Sequence, residues 1–380
     1  MNKLIGSLED IPAPLSSPLR EIVLSSNQLT GPIPKLFFQL TNLQSLDLDS
    51  NKLTGTIELG SIWRLRNLTH LSLGNNMISL TEKEDDTIFS RIPKIQHLNL
   101  ASCNITKFPA SLEYIDTIQG LDLSNNQIEG AIPSWVWKNP LIMAIYHLEV
   151  LDVGNNQIVD SFPSWLGTLP KLRILVLRSN QLNGTIRGLH DGYQHFTSLQ
   201  IVDLASNHFS GDLHPEWFEN LRAMLDNSND VGEILEHQTN STWRSLVYQD
   251  TVIVTLKDAA LSVTKIPTAF KLIDLSNNSF EGSIPGRIPQ GNQFLTFPSS
   301  SFEGNAGLCG IQLYKQCDNP GPDSTTRSIS VPEPNTLWQD RLDAIIFFLI
   351  VGLGFGVDFA LSILFRSFYH IEGWLYKHMY

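Results

Sequence analysis

One feature constrains this chain more than any other: the run apolar-x-x-apolar-x-apolar-x-x-Asn returns eight times, and a ninth time with cysteine in the last place. Leu19, Ile22 and Leu24 lead to Asn27; Leu43, Leu46 and Leu48 to Asn51; Leu68, Leu71 and Leu73 to Asn76. Ile95, Leu98 and Leu100 lead to Cys103, and Ile118, Leu121 and Leu123 to Asn126. Leu148, Leu151 and Val153 lead to Asn156, and Leu172, Leu175 and Leu177 to Asn180. Leu199, Val202 and Leu204 lead to Asn207, and Phe270, Ile273 and Leu275 to Asn278. The steps between anchors are 24, 25, 27, 23, 30, 24, 27 and 71 residues. A fixed period of this size means a solenoid, in which each turn stacks on its neighbours and buries an apolar column that no turn could bury alone. In the L-x-L core the leucines share the inner face of a short strand and the residue between them faces out. The anchor asparagine has a donor and an acceptor to satisfy backbone groups of adjacent turns at a buried bend. Cys103, in one such slot, reads as a buried structural thiol.

The second half of the repeat narrows the type. Leu29-Thr30-Gly31-Pro32-Ile33-Pro34 has relatives at Ile128–Pro133 and Phe280–Pro285. This L-x-G-x-I-P segment resembles the plant-specific class of leucine-rich repeats, over residues 19–214 and 268–285. The resemblance implies an α/β-type leucine-rich repeat solenoid with parallel strands on the concave face, a 3-10 or irregular convex side and a second, lateral strand. Glycine suits the turn because it accepts positive φ, and proline stops ladder pairing at the far edge.

The repeats are flanked and interrupted. Residues 1–18 form a lead, 19–214 carry repeats, and 215–267 hold no anchor. That stretch starts polar and acidic and ends in a β-type run, Tyr248 to Lys257, with Asp250 inside it. Insertions of this size in a solenoid are usually functional. Residues 268–300 hold the last repeat and lead into a cap at 301–320, with Gly304-Asn305-Ala306-Gly307-Leu308-Cys309-Gly310 and a second cysteine at Cys317. An acidic spacer at 321–343 precedes Ala344–Phe365, whose apolar length fits a single C-terminal transmembrane helix, and residues 366–380 remain as a short tail. Arg366 and Lys377 follow the span, so positive-inside reasoning puts the tail in the cytoplasm. Gly352 and Gly356 give the span a G-x-x-x-G face on which another helix could pack. The tail is too short for a kinase or any folded domain.

Together these segments resemble a plant leucine-rich-repeat receptor-like protein of the kinase-less, disease-resistance type. The insertion ending in Y-x-D-x-V-x-V-T-x-K looks like the family's island, and G-N-x-G-L-C-G its C-terminal cap. The resemblance implies a Cys309–Cys317 disulfide in an oxidising compartment. It also implies a plasma-membrane, type I protein with the solenoid outside. Ligand binding would be signalled through adaptor and co-receptor receptor-like kinases, in defence or, for a few members, development. Met1–Leu15 has one lysine and no apolar core for a secretory signal, and the family's paired-cysteine N-terminal cap is absent. Repeats are fewer than the family carries, and Ile284-Pro285 runs straight into Gly286-Arg287-Ile288-Pro289. These departures read as N-terminal truncation. Five N-x-S/T sequons, at Asn67, Asn104, Asn183, Asn240 and Asn277, become glycan sites if the solenoid is extracellular.

Composition sorts the function classes. A formal charge of -12 argues against nucleic acid as partner. No H-E-x-x-H, G-x-S-x-G or phosphate-binding glycine loop occurs, which points to a non-enzyme without cofactor. Binding has a definite surface. The outward residue of each strand is, in order, Val23, Asp47, Ser72, Asn99, Asp122, Asp152, Val176, Asp203 and Asp274. His70, His97, Arg173, Val176 and Arg178 depart from the repeat consensus and form the candidate footprint for a peptide, protein or glycan, and Asp122, Asp152 and Asp203, which follow it, complete the candidate ligand-binding face. Two classes compete with the receptor reading: a tethered interaction module, like the leucine-rich inhibitors of microbial wall-degrading enzymes, and a truncated, non-functional receptor remnant, to which the missing cap and signal point; the island and the G-x-x-x-G helix favour a receptor.

Overall fold

The nine L-x-L cores form nine three-residue strands, and all nine join one parallel sheet in chain order. The computed structural model describes residues 3–8, 17–83, 92–133, 147–186, 196–225, 252–256, 259–263, 271–284, 299–310 and 313–317. The strands are Glu21–Val23, Ser45–Asp47, His70–Ser72, His97–Asn99, Gly120–Asp122, Val150–Asp152, Ile174–Val176, Ile201–Asp203 and Leu272–Asp274. Their central residues stand in one register: Ile22 opposite Leu46, Leu46 opposite Leu71, and so on to Val202 opposite Ile273. The last pairing matters most, because it closes the 71-residue step as though nothing intervened.

Behind this sheet lies the apolar column. Leu46, Leu71, Leu98, Leu175, Val202 and Ile273 are fully buried, as are the flanking Leu48, Leu73, Leu100 and Leu204. Each such side chain removed from water contributes about 2 kcal/mol, and it can do so only because the next turn covers it. The convex side is made of short 3-10 turns, Lys35–Gln39, Ala110–Tyr114 and Ser164–Thr168, with brief α-helical turns at Leu59–Ile62 and Pro215–Glu219. Four of these begin at or just after a proline, Pro34, Pro109, Pro163 or Pro215. Proline's fixed φ suits a first helical turn, where its missing N–H costs nothing.

The lateral strands are also present. Ile5–Ser7, Gln28–Pro32, Lys52–Glu58 and Met77–Thr81 make one parallel sheet, and Asn183–Gly184, His208–Asp212, Ser279–Ser283 and Gly307–Cys309 another. Gly130, in one L-x-G segment, has φ 85, a region that side chains rarely enter. Two segment boundaries differ from the sequence expectation. The lead contains a lateral strand, Ile5–Ser7, paired in register with Gln28–Thr30, so it is part of the solenoid. At the far end the cap continues the repeat: Gly307–Cys309 pairs with Glu281–Ser283.

The asparagine ladder runs through both ends. In a typical rung Asn180 Oδ1 accepts from the Ile158 N–H at 3.0 Å, and its Nδ2 donates to the carbonyls of Val153 and Leu177, each at 3.0 Å. Asn27 accepts from Leu4, and Asn305 of the cap accepts from Phe280 and donates to Leu275. The residue before each anchor, from Ser26 to Asn277, is left-handed, with φ between 52 and 57. Serine and asparagine tolerate that conformation because their short polar groups bond locally. At Cys103 the thiol takes the place of the amide, 3.8 Å from the Leu73 carbonyl and 3.5 Å from that of Ala101.

Met1–Asp318 forms one compact unit. Among the described residues no helix is long and apolar enough to cross a membrane. The span 344–365, with Gly352 and Gly356, lies outside the described residues.

Candidate ligand-binding face

The concave sheet sets out functional side chains in columns about 4.8 Å apart, one rung per strand. In the outward column, the consensus aspartates turn out to have local work. Asp122 Oδ1 accepts from the Ser124 N–H at 2.9 Å, Asp152 from Gly154 at 2.8 Å, and Asp203 from Ala205 at 3.1 Å. Asp274 and Asp47 make the same bond two residues on, as does Asn99. These are Asx turns that end each strand. The column is also crowded: Asp152, Asp203 and Asp274 are buried, and Asp122 is half-buried. The residues expected to present carboxylates to a ligand therefore terminate strands, with their faces packed against the next rung.

Crowding like charges out of water has an electrostatic consequence. Burial pushes the Asp122 carboxyl up to about 6, against the Ser124 hydrogen bonds, and the nearby Asp49 charge adds to it. Burial likewise raises Asp203 to about 6, although Arg178 pulls it the other way. Asp152 is held well above the usual carboxylate range by burial and by Asp122.

The footprint residues fall into two groups. His70 and His97 are cross-strand partners whose rings stack with centroids 4.8 Å apart. His97 is buried, and the half-buried His70 has its Nδ1 2.7 Å from the Thr69 hydroxyl. Arg173, Val176 and Arg178 sit three repeats further on. Val176 is buried, only 1% exposed, because the strands beside it and the crowded column leave no opening. Arg178 Nη1 reaches Asp203 Oδ2 at 3.1 Å, with only 18% of the arginine side chain exposed. Arg173 Nε donates to Gln200 Oε1 at 3.3 Å. The structure thus joins Arg178 to Asp203 and His70 to His97, and it does not join the two groups.

Of the remaining site residues, Tyr248, Asp250 and Lys257 lie outside the described residues, although the chain around them forms an antiparallel pair, Val252–Leu256 with Ala259–Val263. Asn67, Asn104, Asn183 and Asn277 are exposed, and Asn240 lies outside the described residues. Cys309 and Cys317 are bonded, with Cα atoms 5.2 Å apart. Cys103 is a buried free thiol whose burial raises its pKa far above the ordinary value. Among the described residues no group of three or more His, Cys, Asp and Glu could hold a metal ion.

Of the lip where the concave strands begin, sequence reasoning found Arg173 alone. Glu149, Lys171, Arg173, Ser198, Gln200 and Arg222 surround an open polar depression of ≈ 520 Å³. Part of the signal was present: the residue just before each strand is uncharged at Gln44, Thr69, Gln96, Gln119 and Gln200, and charged at Arg20, Glu149, Arg173 and Lys271.

The leucine rich repeat family matches at residues 17–78 and 146–209, and a second repeat profile of the same description at 117–139 and 198–221. The fold and the ladder define a leucine-rich-repeat protein. Receptor-like protein 35 of Arabidopsis thaliana is 31% identical over 72% of this chain and 33% of its own length. Receptor-like protein 53 of the same plant is 26% identical over 96% of this chain and 40% of its own length. The chain is thus a leucine-rich-repeat protein similar to the plant receptor-like proteins, and it spans less than half the length of these relatives. Among solved structures it shares its fold with the Arabidopsis receptor kinase HAESA in complex with the peptide hormone IDA and the co-receptor SERK1. That likeness has a TM-score of 0.51 at 22% identity, over 84% of this chain and 46% of the other. A plant ice-binding protein gives a TM-score of 0.52 at 22% identity, over 80% of this chain and 77% of its own.

Proposed function

We propose that this chain is a plant cell-surface receptor-like protein that binds a ligand on its leucine-rich-repeat surface and signals through partner receptor kinases in defence. The ligand is a peptide, a protein or a glycan. The observation that carries the reading is the in-register pairing of Ile201–Asp203 with Leu272–Asp274, which keeps the concave face continuous across the 71-residue step. The kinase partners are what the similarity to receptor-like proteins implies. The HAESA ectodomain, of like fold, was solved with a peptide hormone and a co-receptor, which supports peptide as the first ligand class to test.

The span 344–365 anchors the protein as a single-pass type I membrane protein in the plasma membrane, with the solenoid outside. Topology is the decisive premise. The full chain expressed in plant cells and treated with a deglycosylating enzyme should gain gel mobility, because Asn67, Asn104, Asn183 and Asn277 present exposed side chains within sequons. Unchanged mobility would leave the solenoid outside the secretory lumen and overturn the receptor reading.

A further inference from the structure

The basic lip of the concave sheet stands out against the rest of the molecule. The chain carries a formal charge of -12, yet Lys171, Arg173 and Arg222 converge on one depression that Glu149 alone offsets. The three cations come from two unrelated parts of the fold. Lys171 and Arg173 precede the strand Ile174–Val176, and Arg222 opens the short helix Arg222–Leu225, which leaves the last regular repeat before the insertion.

The Arg173 side chain is held in place, and the backbone beside the exposed Lys171 and Arg222 is fixed. Gln200, buried on the adjacent strand, accepts from Arg173 Nε, and its own N–H bonds to the Arg173 carbonyl at 2.8 Å. The helix carrying Arg222 is pinned by the Ala223 N–H to the Thr197 carbonyl at 3.1 Å and by the buried Leu221 and Met224 beneath it. Ser198 Oγ donates to the Pro170 carbonyl at 2.6 Å, fixing the rung beside Lys171. Lys171 Nζ lies 3.3 Å from His147 Nδ1. Among the described residues neither Lys171 nor Arg222 forms an ion pair with a carboxylate. Next along the column stands Lys271, where the chain returns from the insertion, one strand beyond Gln200. Basic groups gathered in a concavity of an acidic protein are not there for solubility, which charge of the prevailing sign already provides.

From this we infer that the depression bounded by Lys171, Arg173 and Arg222 is an anion subsite that takes a carboxylate of an acidic peptide. A guanidinium offers a planar fork matched to a carboxylate, and an ammonium beside it adds charge without demanding geometry. Thr197, Ser198 and Gln200 line the depression beside the cations, with Ser198 and Gln200 bonded to the rung that carries Lys171 and Arg173. The volume is in the range of small-ligand clefts, enough for one acidic residue and its neighbours. The inference deepens the receptor reading by naming the chemistry of one ligand contact.

The test uses the full chain, solubilised in detergent, with fluorescein-labelled hexaglutamate, hexaglutamine and hexagalacturonate read by fluorescence anisotropy. Because the protein is acidic overall, diffuse electrostatics would repel hexaglutamate, so binding reports a local site. Hexaglutamate should bind about 10-fold or more tighter than hexaglutamine and weaken as salt rises. Lys171→Gln with Arg222→Gln should reduce hexaglutamate affinity about 10-fold, and Lys171→Arg should retain it. Equal affinity for the acidic and neutral peptides, or no effect of the double variant, overturns the subsite. Binding of hexagalacturonate alone overturns the peptide assignment in favour of an acidic glycan. Glycan-dependent mobility is independent of all these outcomes, so a chain that reaches the lumen and ignores hexaglutamate loses the subsite and keeps the receptor reading.

Discussion

At the scale of single residues, the concave aspartates show how one side chain can look like a ligand contact and be a turn. The amino-acid pattern makes L-D-L read as a column of outward carboxylates, and the spacing is right. The Asx bond to the N–H two residues on is invisible in that pattern, because it depends on how the chain bends after the strand. Asn99 occupies the same column and makes the same bond to Ala101 at 3.0 Å. Asn is therefore a test of charge at constant geometry. In Asp122→Asn the turn is kept and the buried charge is removed. An ordinary aspartate titrates near 3.8 and this one near 6, so between those values the folded state holds a proton that the unfolded chain releases. The contribution of Asp122 to stability accordingly falls as pH rises from about 4 to 6 and stays low above it. Asp122→Asn should flatten that fall and raise stability at pH 7.5 by about 2 kcal/mol, with little effect at pH 4. Urea denaturation midpoints at the two pH values measure it, and an equal shift at both would remove burial of the charge as the cause.

Among the repeating elements, the ladder decides stability more than any one strand does. Asn180 closes three backbone groups from two turns, and no water reaches them. Asn180→Ala should cost about 2–4 kcal/mol, since buried donors and acceptors would lose their partners. Cys103 is the converse case. Its thiol sits over the carbonyls that an amide would bond, so Cys103→Asn should raise the urea midpoint rather than lower it. A lower midpoint would show that the fourth turn has relaxed around sulfur. The elements were largely legible in the sequence, because the leucine period, the asparagine anchor and the L-x-G segment each answer to a physical need. What was not legible lay at the ends and at the lip. Ile5–Ser7 and Asn305 keep only half of the motif, and half a motif is recognisable only when its partner strand is seen beside it. Arg222 reaches the lip from a helix outside the repeat, so no column in the sequence could have pointed to it.

For the whole molecule, the governing fact is that the solenoid and the insertion are separable in register. Ile201–Asp203 pairs directly with Leu272–Asp274, and the ladder crosses with it: Asn278 Oδ1 accepts from Phe209 at 3.1 Å and its amide donates to Leu204 at 3.0 Å. Among the described residues that join is made by the flanking repeats alone. Removing residues 226–270 and joining Leu225 to Lys271 would shorten the step from 71 residues to 26, inside the range of 23 to 30 set by the other turns. Trp217, Phe218 and Met224, which pack into the core from the start of the stretch, would all be kept. Loop closure over the insertion costs the folded state entropy that grows only slowly with length, so its removal should leave the unfolding midpoint unchanged or slightly raised. Circular dichroism and urea denaturation of the shortened chain measure this directly. A shortened chain that folds, keeps its ladder and binds hexaglutamate would assign the anion subsite to the lip alone. A chain that fails to fold would mean that the insertion is a structural part of the eighth turn, and the separation of scaffold from insertion would fall with it.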